Sequence, residues 1–378
     1  MEESFSKSKC LLYLPLGSCK SSFNLEKTVC NHGFFMMAPN KWISSTKSLQ
    51  RPLRLADQCS SVIVTISHLP ESANIQIYVH DMEGVSLKSE QAILKQVARM
   101  LRISDKDEKA VNEFQGLYPQ AKQDEFGRIF RSPSLFEDVV KSILLCKCTW
   151  GKTLNMVKSL CELQLQLSSG PRSNRKKQCK TKRKRGQNNA TSKKNHGIGN
   201  FPNSKELVKF GETILRERCK VGYRAQFIIK LAQSVEKGTL VLEKLEMECN
   251  LWSYKVVHRK LSELKGFGPF VVATILMCMG CYEKVPVDSE TKRHLNQVPV
   301  DSETKRHLNQ AHGISSCNSL DVEEFYKTYA PFQCIAFWFE LLQSYEKDHG
   351  KLSELDESDY PKITGSQFLQ NEENAPKS

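Results

Sequence analysis

The chain of 378 residues contains no run of eighteen consecutive apolar residues, so we expect no transmembrane helix and no membrane partner. Its first residues, MEESFSKSKCLLYLPLG, include early acidic residues and only a short apolar patch. This composition argues against a secretory signal peptide. A serine-rich organellar presequence is the alternative that this segment leaves open.

The fourteen cysteines lack the spacing of a zinc or iron–sulfur site. Two close pairs occur, Cys146/Cys148 and Cys278/Cys281, but each lies in an apolar helical pattern without a second pair at ligand spacing. The cysteines are also too scattered for a secreted disulfide scaffold. The sequence therefore predicts reduced, buried thiols in an intracellular protein and no bound metal.

Acidic residues are absent from Ser168–Asn200, a segment that holds eleven Lys and Arg residues. Because the whole chain has a net charge of +13, the remainder carries only +2. The segment has almost nothing apolar to bury, so we predict a disordered basic insertion over 168–203. Its stretch RKKQCKTKRKR (175–185) is typical of a nuclear-import signal or a loose phosphate clamp. A solvated low-complexity loop is the alternative.

Hydrophobic periodicity divides the rest of the chain into a small sheet followed by helices. Alternating apolar residues in SVIVTIS (61–67) and NIQIYV (74–79) predict an antiparallel hairpin. From residue 86 the apolar residues recur at helical spacing. The predicted fold class is mainly α with a small N-terminal antiparallel β domain (α+β). Its predicted parts are a tail (1–22), the β domain (23–85), an all-α body (86–348) and a disordered tail (349–378).

The segment KLSELKGFGPFVVATILMCMGCYEKVPVD (260–288) predicts two helices joined by a tight turn. Gly266 and Gly268 permit a sharp reversal and a close approach of the backbone to a partner. Pro269 is suited to the first turn of the second helix. The unpaired amides at that helix start, near a positive dipole end, suit a nucleic-acid phosphate. Taken alone, the pattern also fits a structural αα-corner.

An aspartate follows the turn in the phrase VPVDSETKRHLNQ, which occurs twice without a difference, over 285–297 and 298–310. Asp288 keeps the short path from the glycine turn, whereas Asp301 keeps the path into the next helices. A straight helix cannot present both aspartates to one pocket, because thirteen residues rotate it by about 1,300°, well off a whole number of turns. Loop insertions are best tolerated at the surface. We therefore favour Asp288 as the functional copy, with Asp301 as the alternative.

These features together resemble the helix–hairpin–helix DNA glycosylase superfamily, whose signature is this hairpin, a loop containing Gly and Pro, and a downstream aspartate. GYRA (222–225) is similar to a segment of 8-oxoguanine glycosylases, and YAPFQCIAFWFELL (329–342) is similar to the late helix of the family. HGFFMMAPNKW and RPLRL resemble the sheet domain of the 8-oxoguanine and 3-methyladenine branches. The likeness covers about residues 23–346, apart from the basic insertion and one copy of the repeat.

The resemblance implies an enzyme that flips a damaged base out of duplex DNA and cleaves its N-glycosidic bond. The aspartate matching Asp288 would stabilise positive charge on the sugar and orient or activate water. A helix N-cap is the alternative role for this residue. The hairpin loop, including Phe267, would bind the DNA backbone.

Further residues acquire roles through the same resemblance. Tyr223 would fill the space left by the flipped base, and Arg224 would bind the orphaned partner base or a phosphate. An ordinary half-buried helix tyrosine is the alternative for Tyr223. Lys147 stands in a turn where the family often has Asn, Gln or Ser. The base pocket is predicted to involve Trp150, Phe270 and Trp338, and core packing is the alternative for the two tryptophans.

One family residue is missing. Bifunctional members carry a Schiff-base lysine in the second helix, and the matching position here is Phe270. We therefore expect a monofunctional enzyme that does not cut the backbone. The four-cysteine cluster of the endonuclease III branch is also missing, so no iron–sulfur centre is expected. No cofactor is predicted, although a monovalent or magnesium ion bridging the hairpin to a DNA phosphate stays open.

The leading hypothesis is a monomeric, nuclear DNA glycosylase of base-excision repair. Its predicted partners are damaged double-stranded DNA and the nuclear import machinery, the latter through residues 175–185. The principal alternative is a catalytically inactive DNA-binding protein that keeps the hairpin. A third hypothesis, a helical protein-interaction scaffold, predicts no salt-sensitive DNA binding.

Overall fold

A computed structural model describes residues 10–168, 199–251, 254–288, 322 and 324–363. In this structure a five-stranded antiparallel sheet has order β1-β5-β4-β3-β2 and packs against a helical body. This architecture confirms the predicted mainly α class with a small β domain. The strands are β1 Cys10–Pro15, β2 Lys41–Ile43, β3 Ser48–Arg54, β4 Ser61–Ser67 and β5 Asn74–Val79.

The predicted hairpin corresponds to β4 and β5, which pair antiparallel with Thr65 opposite Tyr78. Every second residue of β5 is buried, beginning with Ile75. The alternation follows from the pleat, which directs successive side chains to opposite faces. The buried face packs on the helices, and the other face is more exposed.

Twelve α-helices are described, and five-residue α1 and α4 are the shortest. They are α1 Leu25–Val29, α2 Leu87–Leu101, α3 Asp105–Leu117, α4 Pro119–Gln123, α5 Leu135–Leu145, α6 Trp150–Ser168, α7 Ser204–Arg218, α8 Arg224–Glu236, α9 Leu242–Leu251, α10 Tyr254–Ser262, α11 Pro269–Met279 and α12 Gln333–His349.

Side-chain caps fix where several helices begin. Ser86 and Ser134 accept hydrogen bonds from backbone amides in the first turns of α2 and α5, which satisfies a donor left free at each helix start. On α2, Ile93, Val97 and Met100 form the buried stripe that the sequence predicted. Pro133 directly precedes Ser134, the cap of α5.

The expected N-terminal tail over 1–22 is wrong from residue 10 onward. Cys10–Pro15 forms the edge strand β1 and pairs along its whole length with β5. Cys10 and Leu12 face the core, whereas Leu11 and Tyr13 are exposed. Because all four residues are apolar, no polar–apolar alternation marked the strand in the sequence.

The expected C-terminal tail over 349–378 is wrong for its first part. Residues 351–363 contain two short 3-10 helices and bury Leu352, Tyr360 and Ile363. The indole N–H of Trp42 donates to the carbonyl of Ser353 at 2.9 Å, so this segment is held against the sheet domain. Long-range contacts of this kind leave no periodic signal, and residues 364–378 lie outside the described part.

The basic insertion lies outside the described residues over 169–198. Its predicted end at residue 203 is too late, since Asn200 and Phe201 are buried. The backbone amide of Asn200 donates to Gln164 at 2.9 Å, and Phe201 packs in the core beside Lys141.

A buried ionic cluster connects the sheet to the helical body. Arg51 of β3 contacts Glu137 of α5 at 3.0 Å, and Lys141, one turn further along α5, contacts the same carboxylate at 2.7 Å. All three side chains are at most 4% exposed. Burial alone would raise the pKa of Glu137, but Arg51 and Lys141 outweigh it and lower the pKa to about 2.

Among the described residues, no helix combines the length and the apolar character needed to cross a bilayer. Within the same ranges, no cluster of three or more His, Cys, Asp and Glu side chains is arranged to hold a metal ion.

The buried ionic cluster of Arg51, Glu137 and Lys141 yields a stability prediction. Glu137→Gln leaves two buried cations without their shared carboxylate, so we expect the free energy of unfolding at neutral pH to fall by about 3–5 kcal/mol. Glu113→Gln is the matched control, because Lys109 and Glu113 form an exposed pair with the same four-residue spacing. We expect the control to cost at most about 1 kcal/mol. Urea denaturation measures both changes, and equal losses would contradict the prediction.

The carboxylate of Glu137 also makes the stability of the protein depend on pH. Because its pKa is depressed in the folded state to about 2, its contribution is present above the unfolded value of about 4.3 and is lost as pH falls toward 2. Stability measured between pH 6 and pH 2, roughly spanning both values, should therefore fall less steeply in Glu137→Gln than in the wild type. Parallel curves would contradict this assignment.

Candidate active site and nucleic-acid interface

The glycine turn joins α10 and α11 as a helix–hairpin–helix. Gly266 has a φ of 95°, which lies in the left-handed region that glycine adopts without strain. Gly268 caps α11 in an extended conformation, and Pro269 is the first helical residue. The geometry agrees with the turn predicted from KGFGP.

The hairpin presents backbone donors. The amides of Gly266, Gly268 and Phe270 donate to no acceptor within the described part of the chain. Gly266 and Pro269 are exposed, so an external acceptor can approach this loop. Amides at a helix start, beside the positive end of the helix dipole, favour an anionic group.

Phe227 of α8 connects the hairpin to the GYRA turn. A Cβ atom added to Gly266 would lie 2.5 Å from Cδ1 of Phe227, so the ring packs directly on the glycine backbone. Phe227 also contacts Tyr223 in a T-shaped arrangement, with ring centroids 6.3 Å apart. Tyr223 is 46% exposed at the start of α8, where the predicted insertion into DNA requires it to be accessible.

Arg224 joins the GYRA turn to the turn after α5. Its guanidinium donates to the carbonyls of Cys146 and Lys147 and lies 4.7 Å from the Tyr223 ring centroid. Arg224 is only 7% exposed. In this state it therefore supports Lys147 and Tyr223, and the contact with a partner base or phosphate stays a prediction.

Lys147 is exposed and has a φ of 49°, which directs the chain sharply out of α5. Sequence-distant residues thus form one connected surface. We call this surface the hairpin face and define it as Lys147, Tyr223, Phe227 and residues 264–269.

The segment from Cys281 to Asp288 is anchored where it leaves α11. Arg102 donates to the carbonyls of Met277 and Cys278 at 2.8 and 3.2 Å, and Arg131 donates to that of Cys278 at 2.8 Å. Cations at a helix C-terminus stabilise its unpaired carbonyls and the negative dipole end. The end of α11 is therefore fixed by two arginines.

Carboxylates balance these buried cations. Glu246 of α9 lies 2.9 Å from Arg131 and 2.8 Å from Arg99, and Arg99 also contacts the fully buried Asp138 at 2.8 Å. Burial, together with Arg102 and Arg99, lowers the pKa of Arg131 to about 10. Burial alone would raise the pKa of Glu246, but Arg99 and Arg131 hold it below its usual range.

A disulfide between Cys249 and Cys281 joins α9 to the start of the same segment. The expectation that all cysteines are reduced, and that Cys281 is a simple buried hydrophobe, is therefore wrong for this pair. Their separation of 32 residues matches no short motif, because the tertiary fold brings them together. Cys278 is buried and free, and Cys146 and Cys148 are free and half-buried.

The segment is further held by α12, since the amide of Cys334 donates to the carbonyl of Tyr282 at 2.8 Å. Asp288, at the end of the segment, is exposed. Asp301 lies outside the described residues, so the choice between the two copies stays a prediction.

The two tryptophans predicted to line a base pocket contact two neighbouring residues, His32 and Gly33. Trp150 packs on Gly33, whose added Cβ would lie 2.7 Å from the indole, and its N–H donates to the carbonyl of Tyr360. The Trp338 ring lies 5.3 Å from that of His32. These are packing contacts, and stacking on a base stays a prediction for both. Phe270 is half-buried at the second residue of α11.

His32 was not singled out from the sequence. It is fully buried, and its Nε2 lies 2.5 Å from the carbonyl of Phe130. Burial lowers the pKa of His32 to about 4, so the ring is neutral near pH 7.

The four-residue spacing between Tyr223 and Phe227 was a signal in the sequence that could have revealed the contact between their rings. Arg102 and Arg131 had no such signal.

The two hairpin glycines give a matched pair of substitutions. Gly266→Ala places an alanine in the left-handed backbone region and brings its Cβ into contact with Phe227. We therefore expect it to lower the free energy of unfolding by about 1–3 kcal/mol. Gly268 has a negative φ and open space around its added Cβ. Gly268→Ala should therefore cost less than about 1 kcal/mol. Urea denaturation compares them, and equal losses would contradict the described packing.

No family model and no curated protein matches this chain, but solved structures do. A structure of MBOgg1 in complex with a low-affinity DNA ligand has a TM-score of 0.55 at 16% identity, covering 93% of this chain and 98% of that one. The apo 8-oxoguanine glycosylase/lyase of Clostridium acetobutylicum has a TM-score of 0.52 at 16% identity, covering 86% and 93%.

A third similar structure is the 3-methyladenine DNA glycosylase of Archaeoglobus fulgidus, with a TM-score of 0.51 at 17% identity, covering 89% of this chain and 98% of that one. These likenesses extend over most of each chain and include both the sheet and the helices. The chain has the fold of the helix–hairpin–helix DNA glycosylases.

Proposed function

We propose that this protein is a DNA N-glycosylase of base-excision repair that acts in the nucleus. The observation that carries the proposal is the hairpin face, where exposed backbone donors and an exposed tyrosine are joined through Phe227. The shared fold supports the same conclusion, since the C. acetobutylicum enzyme has also been solved with double-stranded DNA containing cytosine opposite 8-oxoG.

The hairpin binds the sugar–phosphate backbone of the damaged strand. Its free amides at Gly266, Gly268 and Phe270 supply donors that do not depend on sequence. Such contacts position the enzyme on any duplex, and recognition of the lesion falls to the base pocket.

Tyr223 enters the base stack when the damaged nucleotide is flipped out. Its ring is accessible and is braced by Phe227 and Arg224, which limits the freedom lost on binding. Lys147 lies on the same face and contacts the partner strand through its ammonium group.

The catalytic carboxylate is Asp288, with Asp301 as the alternative. Cleavage of the C1′–N bond transfers the bonding electrons to the base and leaves positive charge on the sugar, which the ionised carboxylate stabilises. A water oxygen then bonds to C1′, and one of its protons passes by way of the carboxylate to the departing base. Contacts from Arg102, Arg131 and Cys334 hold the segment that ends at Asp288, which supports this proposal.

Phe270 occupies the position where bifunctional relatives carry their lysine. A phenyl ring cannot form a Schiff base, so water and not an amine attacks the sugar. The protein is therefore monofunctional and leaves the abasic strand intact. It works as a monomer, since flipping one base requires one hairpin face, and residues 175–185 serve nuclear import.

Separate Asn substitutions at the two aspartates test the catalytic assignment. We expect Asp288→Asn to lower the rate of base release by about 10²-fold or more, because the neutral amide cannot stabilise the sugar cation. Asp301→Asn should retain near wild-type activity. Single-turnover assays on duplexes that each contain one modified base measure the rates.

Glu283→Gln is the control for a nearby carboxylate in the same segment and should remain active. Loss of activity only in Asp301→Asn would assign catalysis to the second copy. Full activity in both Asn variants would contradict the mechanism. Duplex binding without base release by the wild type would instead indicate the non-catalytic DNA-binding alternative.

The monofunctional assignment predicts the form of the product. Strand breaks should appear only after alkali treatment, because the enzyme has no amine at position 270 to open the sugar. Borohydride should trap no covalent complex between the protein and DNA. Breaks formed without alkali, or a trapped complex, would show that another amine takes this role.

A further inference from the structure

A groove of about 300 Å³ lies beside the hairpin, between α8 and the loop that leads from α10 to α11. It has an apolar floor, in which Leu231 and Phe267 are at most 8% exposed. Lysines and small polar side chains surround this floor. The lining residues are Phe227, Lys230, Leu231, Gln233, Ser234, Lys237, Leu240, Leu264, Lys265 and Phe267.

The charge of the groove is of one sign. Three of its lining residues are lysines, Lys230, Lys237 and Lys265, and none is acidic. All three lysines are exposed, and none forms an ion pair with any residue that the structure describes. The nearby Glu236 is turned to another partner, because its carboxylate accepts a hydrogen bond from Ser204 at 2.5 Å.

The lysines are spaced to follow an extended polyanion. Lys230 lies on α8, and Lys237, seven residues further on, caps the C-terminal end of that helix. The two lysines therefore lie on nearly the same side of the helix, about 10 Å apart along its axis. This distance corresponds to about three steps of a DNA strand, which advances about 3.4 Å per nucleotide.

The groove is continuous with the hairpin face. Lys265 immediately precedes Gly266, and Phe227 is shared, since it lines the groove and also packs on that glycine. The hairpin amides and the groove therefore lie side by side on one surface. The apolar floor suits the carbon face of deoxyribose, while the lysines suit the phosphates.

We propose that this groove is a second backbone-binding site, which holds the sugar–phosphate chain of the strand gripped by the hairpin over further nucleotides. The inference rests on the proposed function, because it takes duplex DNA as the substrate. It adds a contact that is electrostatic and independent of sequence. An acidic peptide is the competing occupant that the test below distinguishes.

The test compares two double variants in the full chain. Lys230→Gln/Lys237→Gln removes two groove charges. Lys88→Gln/Lys95→Gln is the matched control, because these lysines are also exposed and seven residues apart on α2, a helix that packs on the sheet. Binding to a short undamaged DNA duplex is measured over a series of salt concentrations. The same preparations are assayed for release of the modified base.

We expect the groove variant to bind the duplex more weakly and to reduce the slope of log K against log salt by about 1.8, or about 0.9 per lysine lost. The control should keep the wild-type slope. A wild-type slope in the groove variant, in a protein that still binds DNA and releases the base, would overturn the groove proposal alone.

Failure of the wild type to release any base would overturn the proposed glycosylase function, while a slope change confined to the groove variant would still support DNA binding in the groove. A poly-glutamate chain is the second probe. If it binds the wild type more tightly than DNA does, and the groove variant loses that binding, the occupant is an acidic peptide and the DNA proposal is wrong.

Discussion

The buried contact between two arginines and the carboxyl end of α11 is the interaction on which the candidate site depends. Arg102 and Arg131 bind the last carbonyls of the helix that begins at the glycine turn. The same helix therefore has its amino end free for an external anion and its carboxyl end locked in the core. Removing one guanidinium would take charged hydrogen bonds away from these buried carbonyls, which is costly in a medium of low polarity.

This arrangement would let a protein body of nearly neutral charge bind DNA, as proposed. The hairpin uses backbone amides, which carry no net charge, and Phe227 transmits its position to Tyr223 through direct packing. Arg224 is used inside the protein to hold two carbonyls of the neighbouring turn. In the proposed complex with DNA, the exposed lysines beside the hairpin would add positive charge to this contact.

Local patterns predicted much of the fold. Strands β4 and β5 and the main helices follow from periods of two and 3.6 residues, and the hairpin follows from Gly266, Gly268 and Pro269. Strand β1 escaped prediction because its apolar residues point to both faces. The Cys249–Cys281 disulfide and the arginine contacts depend on distant segments meeting, which no local pattern records. The exact repeat left Asp288 and Asp301 chemically identical, so composition alone could not separate them.

The segment 351–363 has a practical consequence for anyone who shortens this protein. Its carbonyls at Ser353 and Tyr360 receive the indole protons of Trp42 and Trp150, one from the sheet and one from α6. Cutting after the last long helix would strip both indoles of their acceptors and uncover the ring of Phe35, which meets Tyr360 edge-on. An affinity tag or a fluorescent fusion is therefore best attached beyond Ile363, where it leaves the contacts of the segment 351–363 intact.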